Sequence, residues 1–313
     1  MMYWKLKSMI INAVLLLPNS ASYDTYYWIQ RHLGGLRRIN PVSTLSSRVE
    51  TWKRIKEQGS DPIEKVFLKI GTGRAPLVPL SYWLMGARKT ITIDMNPYLK
   101  GELIRESLRY ILDNKEEFYG LFGYLLDKKR FDDLLAFSRN TNFSTRTFLD
   151  LCRIDYIAAG NAADTGLSPQ SIDFHTSYAV FEHIPLKELR SIFEEGNRII
   201  NKRGLFIHKI DYKDHFSYTD KKISPINFLQ YSDAEWRRYA GNKYMYTNRL
   251  RHDDYINLIQ SVGHRILDVQ SDKDRWSQEL LESEFIKLNE RFDTKSKEIL
   301  SISASWIVSK KSD

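Results

Sequence analysis

Acidic and imidazole side chains lie close together in the segment "FIHKIDYKDHF", residues 206–216. His208, Asp211 and His215 follow the spacing H-x2-D-x3-H, and His183 belongs to the earlier segment "FEHI". Such groups could remove a proton from an oxygen nucleophile during a group transfer. The same spacing would suit a divalent metal, whereas a single histidine in a strand is more often a hydrogen-bonded core residue. We predict these four residues as catalytic candidates and assign no metal ligands.

A second set of residues could bind a nucleotide-like ligand. The segment "VFLKIGTGRAP" ends an apolar run with Gly71 and Gly73, and Pro76 follows where a helix would begin. Glycine lets the backbone turn tightly and approach a ligand, and a helix N-terminus favours an anionic group. Asp94 ends the next apolar run, "TITID", where an acid can accept hydrogen bonds from both hydroxyls of a ribose.

Both sets fall at the ends of segments that read as strands. Strand-like runs occupy residues 64–71, 90–94, 154–160, 172–181, 204–210, 264–270 and 299–310. Helical patterns separate most of them, which predicts an α/β fold with a doubly wound, mostly parallel, seven-stranded, Rossmann-like sheet. The last two strands enclose a helical excursion, so we expect the last strand to be antiparallel. A helix is expected over residues 276–291 of that excursion.

Helical segments also flank and interrupt this sheet. Residues 1–60 read as a helical N-terminal cap broken at Pro18, at Gly34-Gly35 and around Pro41. Residues 61–313 would form the main domain, with a helical insertion at about 97–150, where apolar residues recur at three- and four-residue spacing.

The composition is that of a globular protein. The chain has 313 residues, of which 42% are hydrophobic and 13% aromatic. The single cysteine, Cys152, excludes an internal disulfide and fits a reducing compartment. The net charge of +8 is compatible with nucleic acid, anionic lipid or an acidic substrate, but no run of five like charges occurs, and a solvated basic surface explains it as well.

The N-terminal segment "MMYWKLKSMIINAVLLLPNSAS" has the order of a secretory signal, with lysines, an apolar run and then small residues. Its apolar run is shorter than the roughly 20 residues that span a bilayer. We favour a helical cap on a cytoplasmic protein, with peripheral contact at the inner face of the membrane as the alternative.

The glycine turn departs from the dinucleotide pattern G-x-G-x-x-G, because Pro76 stands in the last position. The sequence "AAGNAADTGLSPQSIDFHTSYAVFEHI" then gives Gly160-Asn161-Ala162, Ile172-Asp173 and a "FEHI" ending. With these motifs in this order, residues 62–310 resemble the class I S-adenosylmethionine-dependent methyltransferases. The resemblance implies S-adenosyl-L-methionine as cofactor and S-adenosyl-L-homocysteine as product.

The resemblance also implies a role for each matching residue. Gly71 and Gly73 would shape the loop at the methionine end, and Asp94 would hold the ribose. Asn161 would accept the adenine amino group, Ala162 would offer its backbone amide to the ring, and Tyr178 would flank the methyl donor. Lys69 departs from the family, which usually carries an acid there for the amino end of the cofactor. A lysine pointing inward would repel that group, so a degenerate, non-catalytic relative is an open alternative.

The methyl acceptor is less constrained. The segment after the fourth strand, "HTSYAVFEHI", lacks the Asn-Pro-Pro-aromatic turn of amino-methylating enzymes, and we therefore expect no nucleic-acid partner. "HKIDYKDHF", "NRLR" and the basic aromatic N-terminus resemble methyltransferases associated with bacterial surface-polysaccharide synthesis. This favours O-methylation of a saccharide or another small hydroxyl-bearing acceptor, with Trp236, Arg237, Tyr246, Arg249 and Arg251 as candidate contacts. A lipid, quinone or natural product is the alternative acceptor, and the oligomeric state stays open.

Overall fold

The computed structural model describes residues 3–37, 39–140 and 142–312, except for the side chains of residues 43 and 46–48. The strands are β1 Val66–Ile70, β2 Lys89–Asp94, β3 Ile154–Ala158, β4 Ile172–Tyr178, β5 Ile200–Asp211, β6 His264–Lys273 and β7 Ile302–Lys311. The helices before the fourth strand are α1 Tyr3–Val14, α2 Asn19–His32, α3 Pro41–Glu57, α4 Leu77–Leu84, α5 Gly101–Asp113, α6 Lys115–Phe122, α7 Lys128–Ser138 and α8 Thr145–Leu151. The later helices are α9 Leu186–Ile199, α10 Asp233–Ala240, α11 His252–Ser261, α12 Arg275–Glu282 and α13 Lys297–Ser301.

The strands form one seven-stranded sheet in the order β3-β2-β1-β4-β5-β7-β6. The strands β3, β2, β1, β4 and β5 are parallel to one another, and β7 runs antiparallel to both β5 and β6. This confirms the predicted doubly wound sheet with an antiparallel last strand. The order of the strands reverses between β1 and β4, and open α/β sheets bind ligands at the carboxyl ends of the strands beside such a reversal.

Alternation along β1 distributes its side chains between two cores. Phe67 packs with Trp52 of α3 and Tyr82 of α4 on one face of the sheet. Leu68 and Ile70 join the core on the other face, which α9 and α11 cover. Because helices cover both faces, β1 is buried along its whole length.

The N-terminal helices differ in where they pack. Helix α3 belongs to the layer on the sheet, whereas α1 lies beyond the carboxyl ends of the strands. There the fully buried Trp4 contacts the rings of Phe216 and Trp236, and its backbone N–H donates to Asp220 at 3.0 Å. Within the described ranges, none of the helices combines the length and apolar character needed to cross a bilayer.

The two largest differences from the predicted boundaries are at the end of a helix and at the start of a strand. The helix expected over 276–291 ends at Glu282, and Glu284 then adopts a left-handed backbone conformation with φ of 54°, which breaks the helix. Strand β5 begins at Ile200, directly after α9, four residues before the strand expected over 204–210. The pairing of β4 with β5 shifts register between Ile172 and Phe174, which accommodates the additional residues.

Candidate functional site

A cleft of about 700 Å³ opens at the carboxyl ends of β1, β2 and β4, beside the reversal in strand order. All six residues predicted to bind the cofactor line it, namely Gly71, Gly73, Asp94, Asn161, Ala162 and Tyr178. His183 lines it too, whereas the other three catalytic candidates do not. The parallel strands bring these residues together, because each set follows a strand that ends at the same edge.

The turn after β1 requires both of its glycines. Gly71 and Gly73 have φ of 75° and 73°, a region that side chains disfavour. A Cβ on Gly71 would come within 2.8 Å of Val180, so the two loops can meet only without it. A Cβ on Gly73 would meet no described atom within 4 Å, because this residue faces the open cleft. The turn thus presents bare backbone to a ligand.

Asp94 organises this turn as well as facing the cleft. One carboxylate oxygen accepts the backbone N–H groups of Thr72 and Gly73 at 2.9 and 3.0 Å. The other accepts from Asn96 at 3.2 Å. A carboxylate oxygen has more than one lone pair, so these contacts leave acceptor capacity on the side of the cleft.

Asn161 and Ala162 lie in a tight turn after β3. The side-chain oxygen of Asn161 accepts the backbone N–H of Ala163 at 2.9 Å, and the backbone N–H of Gly160 donates to the carbonyl of Asp94 at 3.0 Å. The turn is therefore tied to the end of β2. Asn161 already caps its own turn, so it keeps one lone pair for a ligand.

Lys69 points into the site rather than away from it. It is 2% exposed and lines the cleft. Its ammonium donates to the carbonyl oxygens of Ile70 and Gly71, the latter at 2.7 Å. Lys69 therefore places a positive charge at the glycine turn, where the resembling family usually has an acid.

Helix α2 covers the cleft, which sequence patterns did not predict. Arg74 of the glycine turn donates to Tyr23 at 2.9 Å and to Gln30 at 3.1 Å. Tyr26 stacks on Tyr244 with 4.1 Å between ring centroids. Tyr26, Gln30 and Tyr244 all line the cleft. The only signal in the sequence was the aromatic run "YDTYYWIQ" of the N-terminal cap.

His208 is not at the cleft, which corrects the prediction of this residue as a catalytic base. Alternation along β5 directs it to the same face as Phe206, into the core beneath α9. It is fully buried, its Nδ1 lies 2.8 Å from Ser177 Oγ, and the ring of Phe181 is 4.5 Å away. Burial and the neighbouring His175 hold the pKa of His208 well below its usual range. The residue therefore has a structural role.

The other catalytic candidates converge next to the cleft. His183 and His215 contact each other with 4.9 Å between ring centroids, and Nε2 of His215 lies 3.6 Å from Asp211. Burial and the adjacent His215 lower the pKa of His183 to about 4. Burial would raise the pKa of Asp211, but His215 and the Tyr218 hydroxyl together hold it below its usual range. A second cavity, of about 150 Å³, adjoins the cleft and is lined by both histidines.

Glu182 is a member of this cluster that the sequence patterns did not single out. It is 4% exposed, and burial raises its pKa to about 8. The segment around it is clamped by Asn248, whose backbone N–H donates to the Glu182 carbonyl at 2.8 Å. The Asn248 side chain also donates to the carbonyls of Phe181 and Ile184 at 2.9 and 2.8 Å. Glu182 and His183 are thus held on a rigid turn.

Two arginines proposed as acceptor contacts serve the fold instead. Arg251 is fully buried and donates to the carbonyls of Tyr212, Leu300 and Ile302 at 2.6–2.8 Å. Arg249 is 3% exposed and donates to two carbonyls and to Asp233. The charge of Arg251 is thus used inside the protein, whereas Arg249 also lines a cavity of about 300 Å³ together with Trp236, Arg237 and Tyr246.

The sequence matches no protein-family model and none of the curated proteins compared with it. Among solved structures, it resembles magnesium protoporphyrin IX methyltransferase from Synechocystis PCC 6803 with bound S-adenosylhomocysteine. The identity is 11%, with 97% of this chain and 99% of that chain covered and a TM-score of 0.47. It also resembles a S-adenosylmethionine-dependent methyltransferase from Methanosarcina mazei at 14% identity, covering 82% and 96% of the chains, with a TM-score of 0.45. Values this low carry no conclusion about function.

Proposed function

We propose that this protein is a S-adenosylmethionine-dependent methyltransferase. The observation that carries the proposal is the convergence of Gly71, Gly73, Asp94, Asn161 and Tyr178 around one cleft. The sequence motifs by themselves assign these residues to one ligand. The cleft lies where doubly wound sheets bind nucleotides.

The residues of the cleft fit such a cofactor in chemical terms. Asp94 offers acceptors for the ribose hydroxyls, and the turn at Asn161 offers an acceptor for the adenine amino group. The bare backbone of the glycine turn suits an extended amino-acid arm, since the left-handed glycines expose it. When bound, this cofactor supplies an electrophilic methyl group on a sulfonium.

An oxygen acceptor is supported by the groups beside the cleft. His183 is uncharged at neutral pH, because its pKa is lowered to about 4. His215 and Asp211 form a close imidazole–carboxylate pair at 3.6 Å. Such a pair can take up the proton of a hydroxyl acceptor. The cavity beside the pair is small, which suits a small acceptor molecule. We therefore propose O-methylation of a saccharide or another small hydroxyl-bearing molecule.

Lys69 supports a second candidate function. Its buried ammonium at the glycine turn opposes the amino end of the cofactor, which favours a degenerate relative that binds a ligand without methyl transfer. The two candidate functions can be distinguished by turnover, since only an enzyme transfers a methyl group from the cofactor to an acceptor.

The test is transfer of a radiolabelled methyl group from S-adenosylmethionine to two acceptor panels, saccharides and hydrophobic hydroxyl compounds. We expect transfer to saccharides, and a loss of about 100-fold in rate for His215→Ala, because general-base catalysis contributes about 10²–10⁴-fold. An exposed histidine at the end of α2 provides the control His32→Ala, which should transfer at the normal rate. Transfer to hydrophobic acceptors alone would contradict the saccharide proposal, and cofactor binding without transfer to any acceptor would favour the degenerate relative.

A further inference from the structure

Three side chains with metal-binding atoms converge where the cleft meets the smaller cavity. Glu182, His183 and His215 each place one donor atom within 4.8 Å of the other two. We propose that these residues bind a divalent transition-metal ion, which holds the oxygen atoms of the acceptor. The acceptor part rests on the function proposed above. Metal–ligand bonds of about 2.0–2.2 Å place the ligand atoms of a tetrahedral ion about 3.4 Å apart, so donors that lie within 4.8 Å of one another would close in by up to about 1.4 Å on binding.

Glu182 provides the independent evidence for a ligand at this place. Neither of its carboxyl oxygens has a hydrogen-bond partner among the described residues, although the side chain is 4% exposed. Buried carboxyl oxygens are normally hydrogen-bonded, since leaving them unpaired is costly. The Asn248 clamp holds the backbone of Glu182 in place, so the carboxyl stays in the cluster. A cation would supply the missing partner.

His183 is oriented as metal-binding histidines are. Its Nδ1 lies 2.7 Å from the carbonyl oxygen of Tyr246. Because a carbonyl oxygen can only accept, Nδ1 carries the proton and Nε2 keeps its lone pair. A histidine ligand usually donates its other ring N–H to a carbonyl or carboxylate in this way, which fixes both the tautomer and the ring.

His215 and Asp211 complete the surroundings of the ion. In the described part of the chain, Nε2 of His215 has no hydrogen-bond partner although it is buried. Oδ2 of Asp211 lies 3.6 Å from this nitrogen, and the same carboxylate accepts the hydroxyl of Tyr218. Asp211 therefore adds negative charge beside the ion and is itself held in place. With the ion bound, His215 is a ligand, and Asp211 rather than the imidazole would take up the proton of the acceptor.

The donor set indicates both the ion and the acceptor. Two imidazoles and one carboxylate suit Mn²⁺, Fe²⁺, Co²⁺ or Zn²⁺ better than Mg²⁺ or Ca²⁺, which prefer oxygen ligands. Three protein ligands leave coordination positions open, and His183 and His215 both line the adjoining cavity of about 150 Å³. Two neighbouring hydroxyl oxygens could occupy adjacent positions, and an oxygen bound to a cation loses its proton more easily. The acceptor class is thus a small molecule with adjacent hydroxyls, such as a saccharide ring.

The test uses the full chain, freed of metal by chelation, without cofactor or acceptor. Calorimetric titration with MnCl₂ and with ZnCl₂ should give one ion per chain. Glu182→Gln and His215→Ala should each weaken binding at least about tenfold, while His32→Ala binds as the unchanged protein does. Circular dichroism checks that the variants are folded. Titration of the unchanged protein with CoCl₂ adds a readout that needs no variant, because imidazole ligation alters the visible absorption of Co²⁺.

Two results would overturn the metal site, namely no stoichiometric binding by the unchanged protein, or equal affinity in both folded variants. Titrating the same metal-free protein with S-adenosylhomocysteine separates this proposal from the proposed function. If the protein binds S-adenosylhomocysteine but no metal ion, only the proposed metal site is refuted. If it binds a metal ion but no S-adenosylhomocysteine, only the proposed cofactor is refuted.

Discussion

At the scale of single residues, Asp94 has two tasks that a sequence motif does not separate. Its carboxylate accepts three backbone N–H groups, from Thr72, Gly73 and Asn96, and also faces the cleft. The motif predicted the position of Asp94 because an acid at the end of the second strand is a local feature. Its bonds to the glycine turn could not be predicted, because they depend on how two loops meet.

We predict that Asp94→Ala weakens binding of S-adenosylhomocysteine more than tenfold and lowers the free energy of unfolding by about 1–3 kcal/mol, because three partly exposed backbone N–H groups lose their charged acceptor. Calorimetry and urea unfolding measure the two effects. Asp94→Asn is the matched variant, since it keeps one acceptor oxygen and should regain part of both losses. Near-normal affinity of the alanine variant would refute the ribose role.

Lys69 allows a second prediction at this scale. Alternation along β1 puts it on the face of Phe67, but only the structure shows its ammonium bonded to the carbonyl of Gly71. We expect Lys69→Met to tighten binding of S-adenosylhomocysteine at least threefold (about 0.6 kcal/mol), because a positive charge no longer opposes the amino end. Lys129→Met, at an exposed position on α7, is the control. Weaker binding would instead mean that Lys69 pairs with the carboxylate end of the ligand.

At the scale of elements, α2 is the part of the site that the sequence did not reveal. Its contacts to the cleft through Arg74 and Tyr244 join segments far apart in the chain, and residues of both partners are ordinary surface types. The strands, in contrast, were predictable because each one carries its own apolar run and its own boundary residues. The orientation of His208 toward the core was only partly predictable. Alternation along β5 places its side chains on two faces of the sheet, but it does not show which of them points into the core.

We predict that S-adenosylhomocysteine slows amide hydrogen exchange in α2, because the helix covers the cleft through Tyr26 and Gln30. Arg74→Ala should speed exchange in α2 of the free protein, since Arg74 connects Tyr23 and Gln30 to the glycine turn. Exchange in α7, which contributes no residue to the cleft, serves as the internal reference. Ligand protection confined to the strands, with α2 unaffected, would argue against its covering role.

Two buried histidines, one on β4 and one on β6, give a prediction on the pH dependence of stability. Burial lowers the pKa of His175 to about 3 and that of His264 to about 4, below the value of about 6.5 in an unfolded chain. Below pH 6.5 the unfolded chain binds protons that the folded one does not, so stability falls as the pH falls and is unaffected above that range. Between pH 7 and pH 5, proton binding by His175 in the unfolded chain lowers the free energy of unfolding by about 2 kcal/mol.

His175→Leu tests this, because neither ring nitrogen of His175 has a hydrogen-bond partner among the described residues. The variant should lose less stability than the unchanged protein between pH 7 and 5, as measured by urea unfolding at both values. An equal loss in the two proteins would mean that other groups cause the acid sensitivity.

At the scale of the whole molecule, the sheet, the cleft and the cluster at its edge form one arrangement. The reversal of strand order sets where the cleft opens, and β4 and β5 both end at the cluster of Glu182, His183 and His215. The N-terminal helices α1 and α2 pack over this end of the sheet, and Trp4 of α1 contacts the rings of Phe216 and Trp236. The cofactor and acceptor sites would therefore lie next to each other, as direct transfer of a methyl group between them requires.

The most direct test of the central claim is calorimetric titration of the full chain with S-adenosylhomocysteine. If the cleft holds a methyl donor, one molecule should bind per chain with a dissociation constant of about 1–100 µM, the range in which the charge of Lys69 weakens but does not abolish binding. Absence of binding at ligand concentrations of several hundred micromolar, about ten times the protein concentration, would contradict the assignment of the cleft to a methyl donor.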